Sequence, residues 1–318
     1  FRRESYSDSF TTAGFESVGV GDGGDGGWSY ADSTGNQEEG RVAVVGGRLL
    51  WTRPVNVENF KYLASVAPAG LPKMTLPGPC YLHFRAGRDN ISRAAYPDLD
   101  LFWQYIVDNY HKEMAALANA GCRYIQLDET SIAKLGDDAI RGVLKERGDD
   151  WEALLETYTD VINAVAAGRP DGVKLGMHLC RGNKRGHWQA EGGLDDVAMK
   201  LFQKLDLDFY YLEYDSPRAG TFAPLAAVPD HKTVVLGLVS TKQAELEDAD
   251  AIKRRIDEAA AYVDLDRLAL SPQCGFASHE LGNPISFEQQ AAKIRLVVDV
   301  AKDVWGYQPA PVAVTGAG

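Results

Sequence analysis

The sequence contains few cysteines and comparatively few basic residues, and both shortages narrow the classes of protein it can represent. Among 318 residues there are four cysteines, and no two of them form a C-x-x-C pair. Disulfide-stabilised secreted domains are short and rich in cysteine, so we expect reduced thiols and a cytoplasmic location. Lysine and arginine number 33 against 45 acidic residues, a net charge of −12. This balance argues against nucleic acid or an anionic membrane as a main partner.

Long apolar runs and recognisable nucleotide loops are missing as well. No run reaches the roughly 18 apolar residues of a membrane span, and no signal peptide is recognisable. Gly19, Gly21 and Gly24 have G-x-G-x-x-G spacing, but no strand before them or helix after them supports a dinucleotide site. We therefore predict a flexible loop over 19–40, inside a loop and hairpin excursion at about 15–52 that lies outside the main core.

The sequence does contain a regular alternation of short apolar segments and amphipathic segments. Short, nearly continuous apolar strands between helices indicate a parallel sheet covered on both faces. The predicted strands are 73–77, 122–127, 174–180, 207–213, 233–239 and 267–272. The predicted helices are 57–65, 98–120, 150–167, 195–204, 249–262 and 286–304.

Six strands fit either an open doubly wound sheet or a closed barrel whose first two strands precede Phe1. Polar groups follow strand after strand around the whole predicted sheet, whereas an open sheet would concentrate them at one switch point. We therefore predict an α/β fold of the TIM-type (β/α)8 barrel class, with the first two strands missing from or lying outside this chain. Residues 1–318 then form a single domain.

Four zinc-binding residue types occur at the ends of predicted strands. Residues two apart in a strand point the same way, so His178 and Cys180 share a face at the carboxyl end of their strand. Glu213 and Cys274 end two later strands. Each alone has an ordinary structural interpretation as a core residue or a strand-end acid. Together they indicate a Zn²⁺ site.

The charge of this ligand set indicates what the metal could do. Two thiolates and one carboxylate would leave bound Zn²⁺ with a net charge of about −1. Thiolate donation weakens the Lewis acidity that activates water, so the set suits activation of a thiol nucleophile better than hydrolysis.

Two acids end the 122–127 strand at the same rim. Asp128 and Glu129 are both candidate substrate-binding residues, although successive strand residues alternate and only one of them faces the substrate from the strand itself. Asp128 either captures a substrate ammonium or acts as a general acid, or it caps a helix or pins a loop. The sequence leaves these alternatives open.

Several basic and polar residues are predicted near the same rim. His83, Arg85 and Arg88 lie in a predicted loop, 78–89, after the first predicted strand and could bind a carboxylate, sulfonate or phosphate. Arg181 and Asn183 follow the His178 strand and are expected to lie over the site, also as substrate-binding residues.

Two further residues are candidates for moving a proton. Lys242 follows the 233–239 strand at the equivalent rim, and His279 follows Cys274 closely. His279 could support a ligand or shuttle a proton.

Four segments, in this order, resemble the cobalamin-independent methionine synthases, and most closely their short single-barrel methionine synthase II-like relatives. They are Tyr124-Ile125-Gln126-Leu127-Asp128-Glu129, Met177-His178-Leu179-Cys180, Leu212-Glu213-Tyr214-Asp215 and Ser271-Pro272-Gln273-Cys274-Gly275. The resemblance runs from Phe1 to about Tyr307. It implies a TIM-type barrel that binds zinc through His178, Cys180, Glu213 and Cys274. It further implies methyl or alkyl transfer to a zinc-bound thiol, with Asp128 near the amino group of the thiol substrate.

The sequence departs from the pattern of that family at three places. Family members begin with two further strands that carry an acid for holding homocysteine, and here these strands would precede Phe1 or belong to a partner chain. The indole that stacks on folate is replaced around His83 and Arg85, and a histidine that assists methyl release aligns with Lys242. The acceptor is then homocysteine or another small thiol, and the donor is a folate or another methyl or alkyl donor. A homo-oligomer is also compatible with the sequence.

Two other classes of function remain open. The same barrel could be a zinc-dependent hydrolase or lyase, with Asp128 or Glu129 as base, or a non-catalytic metal-binding partner protein. Dependence of turnover on a thiol separates the transferase from the hydrolase or lyase, and an exposed apolar seam next to the first strand, or a second chain filling it, would favour the non-catalytic protein.

Overall fold

The computed structural model describes residues 18–22, 41–67, 70–278 and 282–307. A short antiparallel pair is formed by β1 (Val18–Asp22) and β2 (Arg41–Val45). The main sheet contains six parallel strands, whose order in the sheet is their order in the chain. They are β3 (Met74–Pro77), β4 (Tyr124–Glu129), β5 (Lys174–Leu179), β6 (Phe209–Glu213), β7 (Thr233–Val239) and β8 (Leu268–Pro272).

Helices connect these strands. They are α1 (Val57–Val66), α2 (Tyr81–Ala86), α3 (Leu99–Asn119), α4 (Ser131–Lys134), α5 (Asp138–Glu146), α6 (Trp151–Ala167), α7 (Ala198–Lys204), α8 (Ala249–Ala260) and α9 (Phe287–Trp305). Acidic N-caps begin several of them, as at α6, where the Asp150 side chain accepts hydrogen bonds from the Glu152 and Ala153 amides. None of the helices in the described ranges is both long and apolar enough to cross a membrane.

The parallel strands in sequential order confirm the α/β barrel class. Every residue of β5 after its first is buried, as expected for a parallel strand that is covered on both faces. Within the described ranges, β3 and β8 each pair with a strand on one side only. The two further strands expected from the sequence stay a prediction; they would pair with the outer edges of β3 and β8.

The six predicted strands and six predicted helices all occur, with ends shifted by a few residues. The segment after β2 differs from the prediction, because it packs into the core and does not lie outside it. Val45 and Leu49 are fully buried, and the Leu49 amide donates to the Tyr96 hydroxyl at 2.6 Å. The segment after β3, predicted as a loop, contains the short helix α2. Most of the predicted 19–40 loop lies outside the described residues.

The parallel arrangement determines where the site forms. The carboxyl ends of all six strands lie at one edge of the sheet, which is where barrel enzymes place their chemistry. The pairing register sets Asp128 beside His178 and Glu213 beside Gly237. Residues far apart in the sequence are thereby brought to the same rim.

Candidate metal centre

The four predicted zinc ligands converge on one point. One ligand atom from each of His178, Cys180, Glu213 and Cys274 lies within 4.8 Å of each of the others. The two sulfurs are 3.8 Å apart, and His178 Nε2 is 3.6 Å from Glu213 Oε1. The set therefore combines two sulfurs, one nitrogen and one oxygen, a donor set that zinc accepts.

The surroundings of His178 fit a bound cation. Its Nε2 atom is buried and has no hydrogen-bond partner among the described residues. Burial alone would lower the pKa of His178, but the Cys274 sulfur and the carboxylates of Asp128 and Glu213 raise it to about 9. A position that raises the pKa of an imidazole stabilises positive charge, which is what a divalent metal requires.

The two cysteines differ in acidity. Hydrogen bonding from the Cys180 thiol, together with the nearby His178 and Lys242, holds the pKa of Cys274 well below its usual value although burial opposes this. The same contact and burial raise the pKa of Cys180. Without metal, Cys274 is therefore the first of the two to become a thiolate.

Asp128 and Glu129 lie on opposite faces of β4, as strand alternation predicts. Asp128 Oδ1 is 3.9 Å from His178 Nε2, and 41% of the Asp128 side chain is exposed. Burial of its Oδ1 side raises the pKa of this carboxyl to about 6. Glu129 is fully buried and accepts hydrogen bonds from the amides of Cys80 and Ser131. Glu129 thus fixes the loop before α2 and does not face the substrate side, which corrects its assignment as a substrate-binding residue.

We expect Gly78→Ala to destabilise the fold because Gly78 packs directly against Glu129. A Cβ atom at Gly78 would lie 2.7 Å from Glu129 Cα and closer still to its carboxylate. Overpacking of this kind typically costs about 1–3 kcal/mol. Gly142→Ala in α5 is the matched control, because its Cβ would meet nothing within 4 Å. A helical glycine to alanine change there should stabilise by roughly 0.5–1 kcal/mol. Denaturant unfolding measures both; equal stabilities would contradict the packing argument.

The three residues after β3 are not arranged as a simple anion site. The His83 ring centroid is 5.1 Å from that of Trp103, and its Nδ1 is 3.0 Å from the Tyr158 hydroxyl. Burial and two nearby arginines lower the pKa of His83 to about 3, so it is neutral and cannot pair with an anion. Arg88 donates to the carbonyls of Ile91 and Tyr96, which closes its own loop. Arg85 lies on α2 with its side chain buried.

Arg181 also occupies a different place from the predicted one. Its side chain is 1% exposed and lies behind Glu213, where it donates to the carbonyls of Gly192 and Glu213. Its pKa is lowered by burial. The sequence placed Arg181 against the substrate, but the turn at Gly182, with a φ of 97°, redirects the chain directly after it. Arg181 therefore supports a ligand.

Asn183 joins the loop after β5 to the loop that carries Cys274. Its side-chain amide donates to the Gly275 carbonyl at 2.7 Å and to the Ser278 hydroxyl at 3.0 Å. Asn283 donates to the Asn183 side-chain oxygen and to the Thr241 carbonyl. Asn183 thus has a bridging role in the structure, and its assignment as a substrate contact stays a prediction.

Lys242 is 5% exposed, and its ammonium nitrogen is buried without a hydrogen-bond partner in the part of the chain that the structure describes. It lies close enough to Cys274 to favour the thiolate. His279 lies outside the described residues, so its role stays a prediction.

Sequence reasoning missed the residues that hold Glu213. Gln273 donates to Glu213 Oε1 at 2.5 Å, and Arg218 lies 3.6 Å from Glu213 Oε2. The only signal for Gln273 was its place directly before Cys274, and nothing in the sequence singled out Arg218.

Comparisons with known proteins agree with this arrangement. Residues 31–303 match the family described as "Cobalamin-independent synthase, Catalytic domain". The protein YxjH of Bacillus subtilis is 42% identical over 266 residues, which are 83% of this chain and 70% of YxjH. The 5-methyltetrahydropteroyltriglutamate–homocysteine methyltransferase of Bacillus velezensis is 24% identical over 82% of this chain and 30% of its own length.

Two solved structures of methionine synthases are also similar to this chain. A Listeria monocytogenes structure described as a vitamin-B12-independent methionine synthase is 32% identical, with a TM-score of 0.67 over 94% of this chain and 78% of that one. A Shewanella B12-independent methionine synthase has the same TM-score at 19% identity, which supports the fold alone. The family match covers most of the described chain and includes all four converging residues. The chain therefore belongs to the family of the cobalamin-independent methionine synthase catalytic domain.

Proposed function

We propose that this protein transfers a methyl or alkyl group to the sulfur of a small thiol in a zinc-dependent reaction. The observation that carries the proposal is the convergence of His178, Cys180, Glu213 and Cys274 within 4.8 Å at the carboxyl edge of the sheet. The names of several relatives add a substrate class, because they are homocysteine methyltransferases that use a methylated folate. Homocysteine or a similar thiol is thus the proposed acceptor, and a folate or another alkyl donor completes the reaction.

The metal supplies one part of the chemistry. Zinc held by these four residues would deprotonate a bound thiol and keep it as a thiolate at neutral pH. The residues of the chain then have to hold the ligand set in place, bind the rest of the thiol and supply a proton.

In the proposed reaction the thiol sulfur forms a bond to the methyl or alkyl carbon, and the bond from that carbon to the donor atom breaks. The electron pair leaves with the donor atom, which takes up one proton to replace the one lost by the thiol. Asp128, partly exposed beside His178, is placed to bind the substrate ammonium. The Lys242 ammonium, buried without a hydrogen-bond partner among the described residues, is the proposed source of the proton.

X-ray absorption at the zinc edge tests this proposal without knowledge of the donor. The purified protein should hold about one zinc with two sulfur ligands, from Cys180 and Cys274. Addition of homocysteine or 2-mercaptoethanesulfonate should raise the sulfur count to three. If it stays at two in saturating thiol, the thiol does not reach the metal and the transferase proposal is wrong. A metal-dependent reaction that consumes water without any thiol would favour the hydrolase alternative.

A further inference from the structure

Glu213 is the most deeply buried of the four converging residues, and its two oxygens have different partners. Oε2 accepts from the Arg181 amide at 3.2 Å and lies 3.6 Å from the Arg218 guanidinium. Oε1 faces the ligand cluster, 3.6 Å from His178 Nε2, and accepts a hydrogen bond from Gln273 at 2.5 Å. The two oxygens are therefore held by different groups: Oε2 by the Arg181 amide and Arg218, and Oε1, the oxygen nearer His178, by Gln273.

The orientation of the Gln273 amide follows from hydrogen-bond chemistry. An ionised carboxylate only accepts hydrogen bonds, so the NH₂ group of Gln273 must face Glu213 and its carbonyl must face the other way. There the Thr241 hydroxyl donates to Gln273 Oε1 at 2.9 Å. Gln273 is 2% exposed and Thr241 is fully buried, so neither partner can be replaced by bulk water. The Glu213 carboxylate thus sets which end of the amide faces it, and Thr241 holds the carbonyl end in place.

A glycine on β7 provides the space for this contact. A Cβ atom at Gly237 would lie 2.9 Å from both Gln273 Cα and the Leu212 carbonyl oxygen. Only a residue without a side chain lets the backbone of residue 273 approach so closely to the end of β6. The Gln273 amide N–H donates to the Val239 carbonyl at 2.7 Å, which fixes its backbone too. The side chain of Gln273 therefore starts from a rigid position on the strand edge.

We propose that Gln273 is a positioning residue of the metal centre, which holds Glu213 Oε1 toward the other three ligands, and that Thr241 anchors the far end of the Gln273 amide. The inference rests on the proposed function, because it requires a metal that Glu213 helps to bind. Without the Gln273 amide, Oε1 loses its hydrogen-bond donor at 2.5 Å, and His178 Nε2 at 3.6 Å is the remaining polar contact that the described structure gives it, whereas Oε2 keeps the Arg181 amide and Arg218. The carboxylate is then expected to turn toward Arg181 and Arg218 and to bind metal less well.

Zinc affinities measured by competition with a chromophoric chelator test this role. Groups that orient a metal ligand typically account for about 10- to 100-fold in metal affinity, and we expect a loss of that size in Gln273→Leu. Thr241→Val should weaken binding by a smaller factor, because the amide can then turn. Thr241→Ser keeps the hydroxyl and should bind zinc as the wild type does. Gln126→Leu is the matched control, since Gln126 is a buried sheet glutamine whose side-chain oxygen accepts from Lys73.

A double variant distinguishes positioning from a general effect on stability. If Thr241 acts through Gln273, Thr241→Val should not lower the zinc affinity any further in a Gln273→Leu background. Thermal unfolding of the metal-free proteins is the parallel readout, because a merely structural role would lower stability and leave zinc affinity unchanged. Should Gln273→Leu fail to fold, the contrast between Thr241→Val and Thr241→Ser gives the same test.

Three results would overturn the inference. The first is wild-type zinc affinity in Gln273→Leu. The second is a further loss of zinc affinity when Thr241→Val is added to Gln273→Leu. In either case tight zinc binding by the wild type would leave the proposed function standing. The third is a wild-type protein with no zinc affinity, which would overturn the metal centre and this inference together.

Discussion

Cys180→Ser is expected to abolish stoichiometric zinc binding and, with it, thiol transfer. The Cys180 sulfur lies 3.8 Å from that of Cys274 and accepts a hydrogen bond from the Gly182 amide at 3.3 Å, so it also contacts the backbone of the loop after β5. A serine hydroxyl does not ionise near neutral pH and is a poor zinc ligand, whereas a thiolate is a strong one. Groups that only orient ligands account for about 10- to 100-fold in affinity, so loss of a ligand should exceed roughly 100-fold.

The measurement is zinc content after dialysis, together with affinity by chelator competition. Cys122→Ser is the matched control, because Cys122 is also buried but contacts the Tyr124 carbonyl and none of the four converging residues. It should keep its zinc even if it loses some stability. Retention of one tightly held zinc by Cys180→Ser would show that the metal is bound elsewhere in the protein. Loss of zinc in both variants would indicate a general effect of cysteine replacement.

The positions of the proposed metal ligands could be predicted because they depend on two short-range rules. Residues two apart in a strand share a face, which brings His178 and Cys180 together. Parallel strands align their carboxyl ends, which brings Glu213 to the same rim. The alternation rule also separated Asp128 from Glu129, although it could not say which of them faced the site.

The partners of those ligands could not be predicted because they are set by loop conformations. Gln273 meets Glu213 across 60 residues of sequence, and Asn283 meets Asn183 across 100. No periodicity relates residues in irregular segments, so such contacts appear only when the loops are folded. Arg181 illustrates the error that results: a basic residue after a strand was read as substrate-facing, but the chain turns at Gly182 and buries it.

His83 was misplaced for a related reason. The segment after β3 begins with Pro77 and Gly78, which are typical of a loop, and the six residues of α2 are too few to show a helical period. The helix turns His83 into an aromatic cluster with Trp103 and Tyr158. A histidine in a loop would be available to an anion, whereas a buried neutral one packs as an aromatic residue.

The charges around the site form a consistent pattern despite the acidic composition of the chain. Two thiolates and the Glu213 carboxylate would bring a bound Zn²⁺ to about −1, and an incoming thiolate would add one more negative charge. Arg181, Arg218 and Lys242 are all nearly buried at this end of the sheet. Buried cations are costly unless they face opposite charge. Arg218 faces the buried Asp215 at 2.8 Å, and Arg181 and Lys242 are explained if they offset the negative charge that would collect on a bound metal and its ligands.

Asp128→Asn is the second change for which we expect a large effect. It replaces a carboxylate with an amide of the same shape, and an amide attracts a substrate ammonium far less. Hydrogen bonds to charged groups contribute about 1.5–3 kcal/mol, so the affinity for homocysteine should fall roughly 10- to 100-fold. Zinc affinity should change little, because Asp128 is 3.9 Å from His178 and is not one of the four ligands.

A second thiol makes this prediction specific. Homocysteine and 4-mercaptobutanoate differ by the amino group that Asp128 is proposed to bind, so the wild type should prefer homocysteine and Asp128→Asn should bind the two about equally. The appearance of a third sulfur at the zinc edge measures both affinities. Glu129→Gln is the control, because it makes the same chemical change on the opposite face of β4. Glu129 accepts hydrogen bonds from the backbone amides of Cys80 and Ser131, so this variant should lose stability and keep the preference for homocysteine. If Asp128→Asn also kept that preference, the ammonium would be bound by another group, and Asp128 would have no part in selecting the thiol.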